Sequence, residues 1–198
     1  ENMRTGEMEG SLLGAIDETL TPMGGRLLRS WLINPLLSAD EIIKRQDAVS
    51  ALIEKSGIFS GLRKPLEKIS DIERLTSRIS SGSANARDLL SLKNSLKELP
   101  GLKAALKGLD DVYINSISVR IDELPHMLYL IEKAIDEDAP PGIKDGGLIK
   151  KGFNSDVDDL RAVSGSGKDF ITALQAKERE RTGISSLKVG FNRVFGYY

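Results

Sequence analysis

The sequence has no cysteine, one histidine and no long apolar run, and each absence excludes a class of protein. Without cysteine there is no disulfide, thiolate nucleophile or cysteine-based metal site, which fits a reducing compartment. With His126 as the single histidine, neither a histidine metal cluster nor a Ser-His-Asp triad can be assembled. No stretch approaches the roughly 18–20 apolar residues that span a bilayer, and no signal-peptide pattern is present. We therefore expect a cytoplasmic protein without membrane contact.

The charge is nearly balanced over the whole chain but unevenly distributed along it. Lys and Arg total 28 against 29 Asp and Glu, so overall charge predicts neither nucleic-acid nor membrane binding. From residue 140 onward, ten basic residues oppose seven acidic ones, giving +3 there and −4 before it. The last third is therefore the basic end. Because the first residue is Glu and the last lie within a strand-like pattern, we expect a segment of a longer polypeptide.

Residues 1–139 carry repeated helix signals and no convincing two-residue alternation, so we predict an all-helical domain over this range. Apolar residues recur at spacings of three and four, and capping residues precede them. Helix starts are predicted at Thr21–Pro22, at two capping boxes (Ser38 with Glu41, Ser70 with Glu73) and at Asn85, with stops before Pro35 and at Gly57.

Residues 140–198 are predicted to form a second domain, because two prolines and two adjacent glycines follow residue 139. Asn154, Ser155 and Asp156 are candidate caps for a helix that runs to about Arg181 and spans roughly 40 Å. From Leu187 onward, β-branched and aromatic residues predict a strand, with no return strand inside the chain. The predicted fold class is thus mainly α: a multi-helix domain, then a long helix and a truncated β-ribbon.

Motifs that would carry catalysis are weak. The stretch SGSGKDF at 164–170 ends in a lysine-containing turn, but it lacks the first glycine, the Ser or Thr after the lysine, and the preceding strand of a P-loop. Neighbouring acidic pairs such as Asp158 and Asp159 point apart on a helix. We therefore expect no catalytic site, cofactor or metal in this chain.

The basic end contains the candidate binding residues. Cations and an amide on an exposed strand suit contacts to a phosphate backbone, which need charge and donors but no base-specific geometry. The alternative interpretation is an edge strand that Lys and Arg protect from aggregation. The DNA-binding candidates are Lys188, Asn192 and Arg193, with Lys177, Arg179 and Arg181 on the preceding helical turns as weaker ones.

Three long stretches resemble the MutS family of DNA mismatch repair proteins, specifically its core or lever domain running into its clamp domain. They are GSLLGAIDETLTPMGGRLLRSWLINPL, DIERLTSRISSGSANARDLLSLKNSLKELPGLKAAL and RERTGISSLKVGFNRVFGYY. The resemblance covers almost the whole chain from Gly10 onward. It implies that residues 1–139 are the core or lever and residues 140–198 the start of the clamp, with the return strand of its ribbon beyond Tyr198.

The resemblance also implies a homodimeric clamp on duplex DNA, in which helical levers join the clamp to an ATPase domain. The family's Phe-x-Glu mismatch reader and its Walker motifs are not in this sequence, so mismatch reading, ATP and Mg²⁺ are expected only in the rest of the parent protein. Downstream mismatch-repair proteins are its expected partners, and its expected location is the nucleoid of a bacterial cytoplasm. The rival hypothesis is a helical protein-interaction scaffold without nucleic-acid binding.

Overall fold

The computed structural model describes the backbone of residues 5–192 and 196–198, and their side chains except those of 163–170, 191–192 and 196–197. The chain divides into two compact units, Glu1–Ile149 and Lys150–Tyr198. The elements are α1 Leu12–Ile16, α2 Pro22–Ile33, α3 Ala39–Glu54, α4 Ser56–Glu67, α5 Ile72–Ser80, α6 Ala86–Leu106, α7 Val112–Arg120, α8 Pro125–Ala134, a 3₁₀ turn Ile143–Asp145, α9 Ser155–Thr182, β1 Phe191–Asn192 and β2 Gly196–Tyr197. The prediction of a mainly α fold is confirmed over these residues.

Several predicted helix starts are confirmed by the capping hydrogen bonds. The Thr21 hydroxyl accepts from the backbone N–H of Gly24 at 3.0 Å, with Pro22 in the first turn of α2. Asn85 and Asp88 form a reciprocal capping box at the start of α6, each side chain accepting from the other's backbone N–H. These contacts span three residues, which is why the sequence alone locates them.

Two helix-boundary predictions are wrong. The cap of α5 is Asp71, whose carboxylate accepts from the Arg74 N–H, whereas the N–H of Ser70 donates to the Ser95 hydroxyl on α6. The stop predicted at Gly57 lies inside α4, because α3 ends at Glu54 and a new helix begins two residues later. At Ser70, a contact with another helix takes the N–H that the local pattern assigned to a cap.

The first unit contains two separate clusters of buried apolar residues, and α6 contributes to both. We call them core A and core B. Core A gathers around the first half of α6 and core B around its last turns and α3, α4 and α7. The buried members of core A are Leu75, Ala86, Leu92, Leu96, Ile131, Ala134, Ile135 and Ala139, and those of core B are Ala48, Leu62, Leu109 and Ile114.

Residues 140–149 belong to the first unit in the structure. An antiparallel bridge pairs Ile135 with Ile149, and the Asp136 N–H donates to the Leu148 carbonyl at 2.9 Å. The boundary between the two units therefore falls between residues 149 and 150, ten residues after the domain boundary that the prolines and glycines predict. The assignment of the two parts to a core and a clamp stays a prediction.

The second unit consists of α9 and the segment after it. Asn154, one of the three candidate caps, accepts from the Val157 N–H at 3.0 Å, and Gly183 ends α9 in the left-handed conformation at φ 69°. At 28 residues the helix is about 42 Å long.

The strand predicted from Leu187 onward is largely missing from the described residues. Residues 187–190 are not a strand, and the two-residue β1 pairs antiparallel with β2 inside this chain. The physical reason is that side chains of α9 take backbone groups of Leu187 and Val189 that a strand would use. The return strand expected beyond Tyr198 stays a prediction.

Candidate nucleic-acid interface

The segment after Gly183 folds back along the last turns of α9. The Arg179 Nε donates to the Leu187 carbonyl at 2.7 Å, and the Val189 N–H donates to the Gln175 Oε1 at 3.0 Å. Two side chains one helical turn apart thus hold an extended segment on one face of α9. We call residues 175–190 the folded-back end of unit two.

Gly190 closes this arrangement. Its N–H donates to the Tyr198 carbonyl at 2.9 Å, and its own carbonyl accepts from the Tyr198 N–H at 3.0 Å. A Cβ at this position would lie 2.8 Å from the Tyr198 ring, so a larger residue would require that side chain to shift.

The predicted basic residues of α9 lie on two different faces. Arg179 is half-buried against the folded-back segment, one turn from Gln175. Lys177 and Arg181 each lie two residues away, about 200° around the helix, and both are exposed. Arg179 therefore has a structural hydrogen bond, while the other two cations face away from that segment.

Lys188 is exposed, between the half-buried Leu187 and Val189. In an extended segment, alternate side chains point to opposite sides, so Lys188 points away from α9. Among the described residues neither Lys177 nor Lys188 makes a hydrogen bond or ion pair. The structure thus presents two unpaired ammonium groups on separate sides of the folded-back end.

Arg181 differs from these lysines because it is paired. Its guanidinium binds the Glu178 carboxylate at 2.8 Å, and this hydrogen bond raises the pKa of Arg181 above its usual range. The side chain is 69% exposed, so solvent screens the pair and a phosphate could compete for it. The other two candidates are not tested, since the Asn192 side chain and Arg193 lie outside the described residues.

The first unit has a surface that the sequence did not single out. The last turn of α2, the loop after it and the middle of α3 form an apolar groove of about 560 Å³, lined by Trp31, Ile42 and Val49 among others. The Arg45 guanidinium stacks over the Trp31 ring at 3.7 Å from its centroid. The apolar spacing that predicts α2 was visible in the sequence, but exposure depends on which neighbouring helices cover that face.

Neither a metal site nor a membrane helix emerges from the described residues. No three His, Cys, Asp or Glu side chains in that part of the chain are arranged to hold a metal ion. Over the same residues, no helix is both long and apolar enough to cross a bilayer.

Comparison with known proteins gives consistent matches over the full chain. The family model described as MutS domain III matches residues 1–192. The chain is 48% identical over 198 residues to the DNA mismatch repair protein MutS of Ruminiclostridium cellulolyticum, 47% over 199 to that of Acetivibrio thermocellus and 45% over 198 to that of Bacillus subtilis. Each match covers 100% of this chain but 23% of the relative. The chain belongs to the MutS domain III family.

Proposed function

We propose that this chain is the lever and clamp region of a MutS-type mismatch repair protein. In this proposal it contacts duplex DNA without reading its sequence, and it couples that contact mechanically to an ATPase elsewhere in the parent polypeptide. The observation that carries the proposal is a 28-residue helix whose last turns and returning segment expose Lys177 and Lys188. The match to MutS domain III supports the repair context.

The proposed contacts are to phosphates. A lysine ammonium is a flexible point charge that binds phosphate oxygens without fixed geometry, which suits sequence-independent binding. Lys177 and Lys188 are the first candidates because they are exposed and unpaired among the described residues. Arg181 would have to exchange its carboxylate partner for a phosphate. Asn192 and Arg193 stay in the proposal from sequence, whereas Arg179 is proposed to support the fold of this end.

The remaining activities are proposed for the parent protein. Mismatch recognition, homodimerisation, contacts with downstream repair proteins, and ATP hydrolysis with Mg²⁺ are assigned to the longer polypeptide, since this chain covers 23% of its relatives.

The first test is a fluorescence-anisotropy titration of the chain with a short duplex, matched or mismatched, at several salt concentrations. Phosphate contacts predict affinity that ignores the mismatch and falls with salt, with a log–log slope of about −0.9 per neutralised phosphate. A variant with Lys177→Ala and Lys188→Ala should therefore bind more weakly, with a slope closer to zero by about 0.9 for each of the two lysines that contacts a phosphate.

Lys151→Ala provides the matched control. It removes the same charge from an exposed position in the same unit, at the opposite end of α9. The proposal requires it to leave affinity and slope nearly unchanged. If Lys151→Ala weakened binding as much per lysine as the double variant does, the charge of the unit rather than this end would be responsible.

In the full-length parent, Lys188→Ala combined with Arg193→Ala should lower DNA affinity. Unchanged affinity in that protein would refute the assignment of these two residues.

A scaffold without DNA binding is the second candidate function, and the apolar groove at Trp31 favours it. Docking of an apolar partner segment there should depend little on salt, in contrast to phosphate binding. Trp31 is the single tryptophan, so its fluorescence reports directly on occupation of the groove.

A further inference from the structure

The longest helix of the first unit contains the two residues that favour a helix interior least. Pro100 and Gly101 lie within α6, which continues to Leu106. A proline has no N–H for the carbonyl four residues earlier, and its ring crowds that carbonyl. Here that carbonyl belongs to Leu96, which is 2% exposed, so bulk water cannot replace the missing donor.

Packing does not account for either residue. Pro100 and Gly101 are both exposed, and a Cβ added to Gly101 would meet no atom within 4 Å. Gly101 is in a helix and has no positive φ, so an alanine would fit its conformation as well as its space. A pair that weakens the helix at an exposed position therefore has no role in core packing.

The position of the pair coincides with the border between the two cores. The residues of α6 that pack in core A end at Leu99, and those that pack in core B begin at Leu102. Pro100 and Gly101 are the two residues between them. The weakest point of the helix is thus the point at which its packing partners change.

The two linkers that run between core A and core B are tied to α6 on either side of this point. In the linker from α4 to α5, the Ser70 N–H donates to the hydroxyl of Ser95, which lies on α6 before Pro100. In the linker from α7 to α8, the Ile121 carbonyl accepts at 2.9 Å from the ammonium of Lys103, which lies on α6 after Gly101. The same linker ends at Leu124, whose φ of 47° is the one positive value among the described non-glycine residues.

From this coincidence we propose that Pro100–Gly101 is a hinge, and that core A and core B move as two rigid bodies about it. In this proposal each linker follows the half of α6 to which it is tied. Sharp bends in helices occur almost always at proline, glycine or similar interruptions. The proposal goes beyond DNA contact and holds whether or not the second unit binds DNA.

The test measures distances between spin labels by double electron–electron resonance in the 198-residue chain, which has no native cysteine. One label pair spans the hinge, at Asp47→Cys on α3 and Ser77→Cys on α5, both exposed. A second pair stays around core B, at Ser60→Cys on α4 and Asn115→Cys on α7, both exposed as well. The spanning pair should give the broader distance distribution.

The hinge is then removed with Pro100→Ala and Gly101→Ala together. The spanning distribution should narrow to the width of the core B pair, because a continuous helix fixes the two cores. Pro65→Ala is the matched control, since Pro65 also lies inside a helix, α4, but away from the border. It should leave the spanning distribution as broad as before.

Two results would overturn the proposal. One is that, in the chain that keeps Pro100 and Gly101, the distance distribution of the spanning label pair is no broader than that of the core B pair. The other concerns the variant with Pro100→Ala and Gly101→Ala. Removing a helix breaker should make this variant more resistant to urea, and the proposal is refuted if that happens while the distance distribution of the spanning pair keeps its width. That second result would mean that Pro100 and Gly101 lower the stability of α6 locally without acting as a hinge.

Discussion

The Ser95 hydroxyl offers the sharpest test of what joins the helices of the first unit. Ser95 is fully buried, its hydroxyl donates to the Ser91 carbonyl at 2.9 Å, and it accepts from the Ser70 N–H at 3.0 Å. Ser95→Ala leaves that N–H without its acceptor, at a cost of about 1–3 kcal/mol. Alanine favours the helix by up to about 0.5 kcal/mol, so the expected net loss is about 1–2 kcal/mol.

The assay is urea unfolding followed by far-UV circular dichroism. With a denaturant slope of about 2 kcal/mol per molar, the midpoint should fall by about 0.5–1 M. Ser50→Ala is the matched control, because its hydroxyl donates to the Gln46 carbonyl at 3.0 Å but lies exposed on α3. Its effect should stay within about 0.5 kcal/mol. Equal effects of the two substitutions would refute the role of the Ser70 contact.

Further predictions concern charge and packing. The Arg26 guanidinium lowers the pKa of Asp71 to about 2, so this carboxylate adds stability that is present above its unfolded pKa near 3.8 and is lost as the pH falls toward 2. Asp71→Asn keeps a capping side chain but removes the charge. It should lower the free energy of unfolding at neutral pH and match the unsubstituted chain near pH 2. A stability difference that stays constant as the pH falls would contradict this. Leu96→Ala, at 2% exposure, should cost about 2–5 kcal/mol in urea unfolding. Leu37→Ala, at 98% exposure, should cost less than about 0.5 kcal/mol. If Leu37→Ala and Leu96→Ala destabilised the chain equally, core A would not be tightly packed.

Helix starts could be predicted from the sequence where the cap is local. Thr21, Asn85 and Asn154 each accept from an N–H three residues later, so their role needs no tertiary partner. The helix α4 was not predicted, because Gly57, Gly61 and Pro65 lower its intrinsic propensity. It forms in the folded chain, where Leu62 is buried in core B.

The candidate interface was predicted only in part. The sequence located the basic end, but it grouped Arg179 with Lys177 and Arg181 although these residues lie on opposite faces of α9. A charge count carries no information on direction. The face of each cation follows from the return of residues 187–189 along the helix, which depends on contacts eight and fourteen residues apart along the chain.

The sequence by itself determined the mainly helical class, the long α9 with its two ends, and the family, because these depend on periodicity, local caps and extended similarity. Tertiary structure decided which apolar faces are covered, that unit one has two cores, and that Pro100 lies at their border. It also decided that Leu187 and Val189 bind side chains of α9 instead of extending a strand. Strand-like residues specify an extended backbone, but the partner of each N–H and carbonyl is chosen only when distant segments meet.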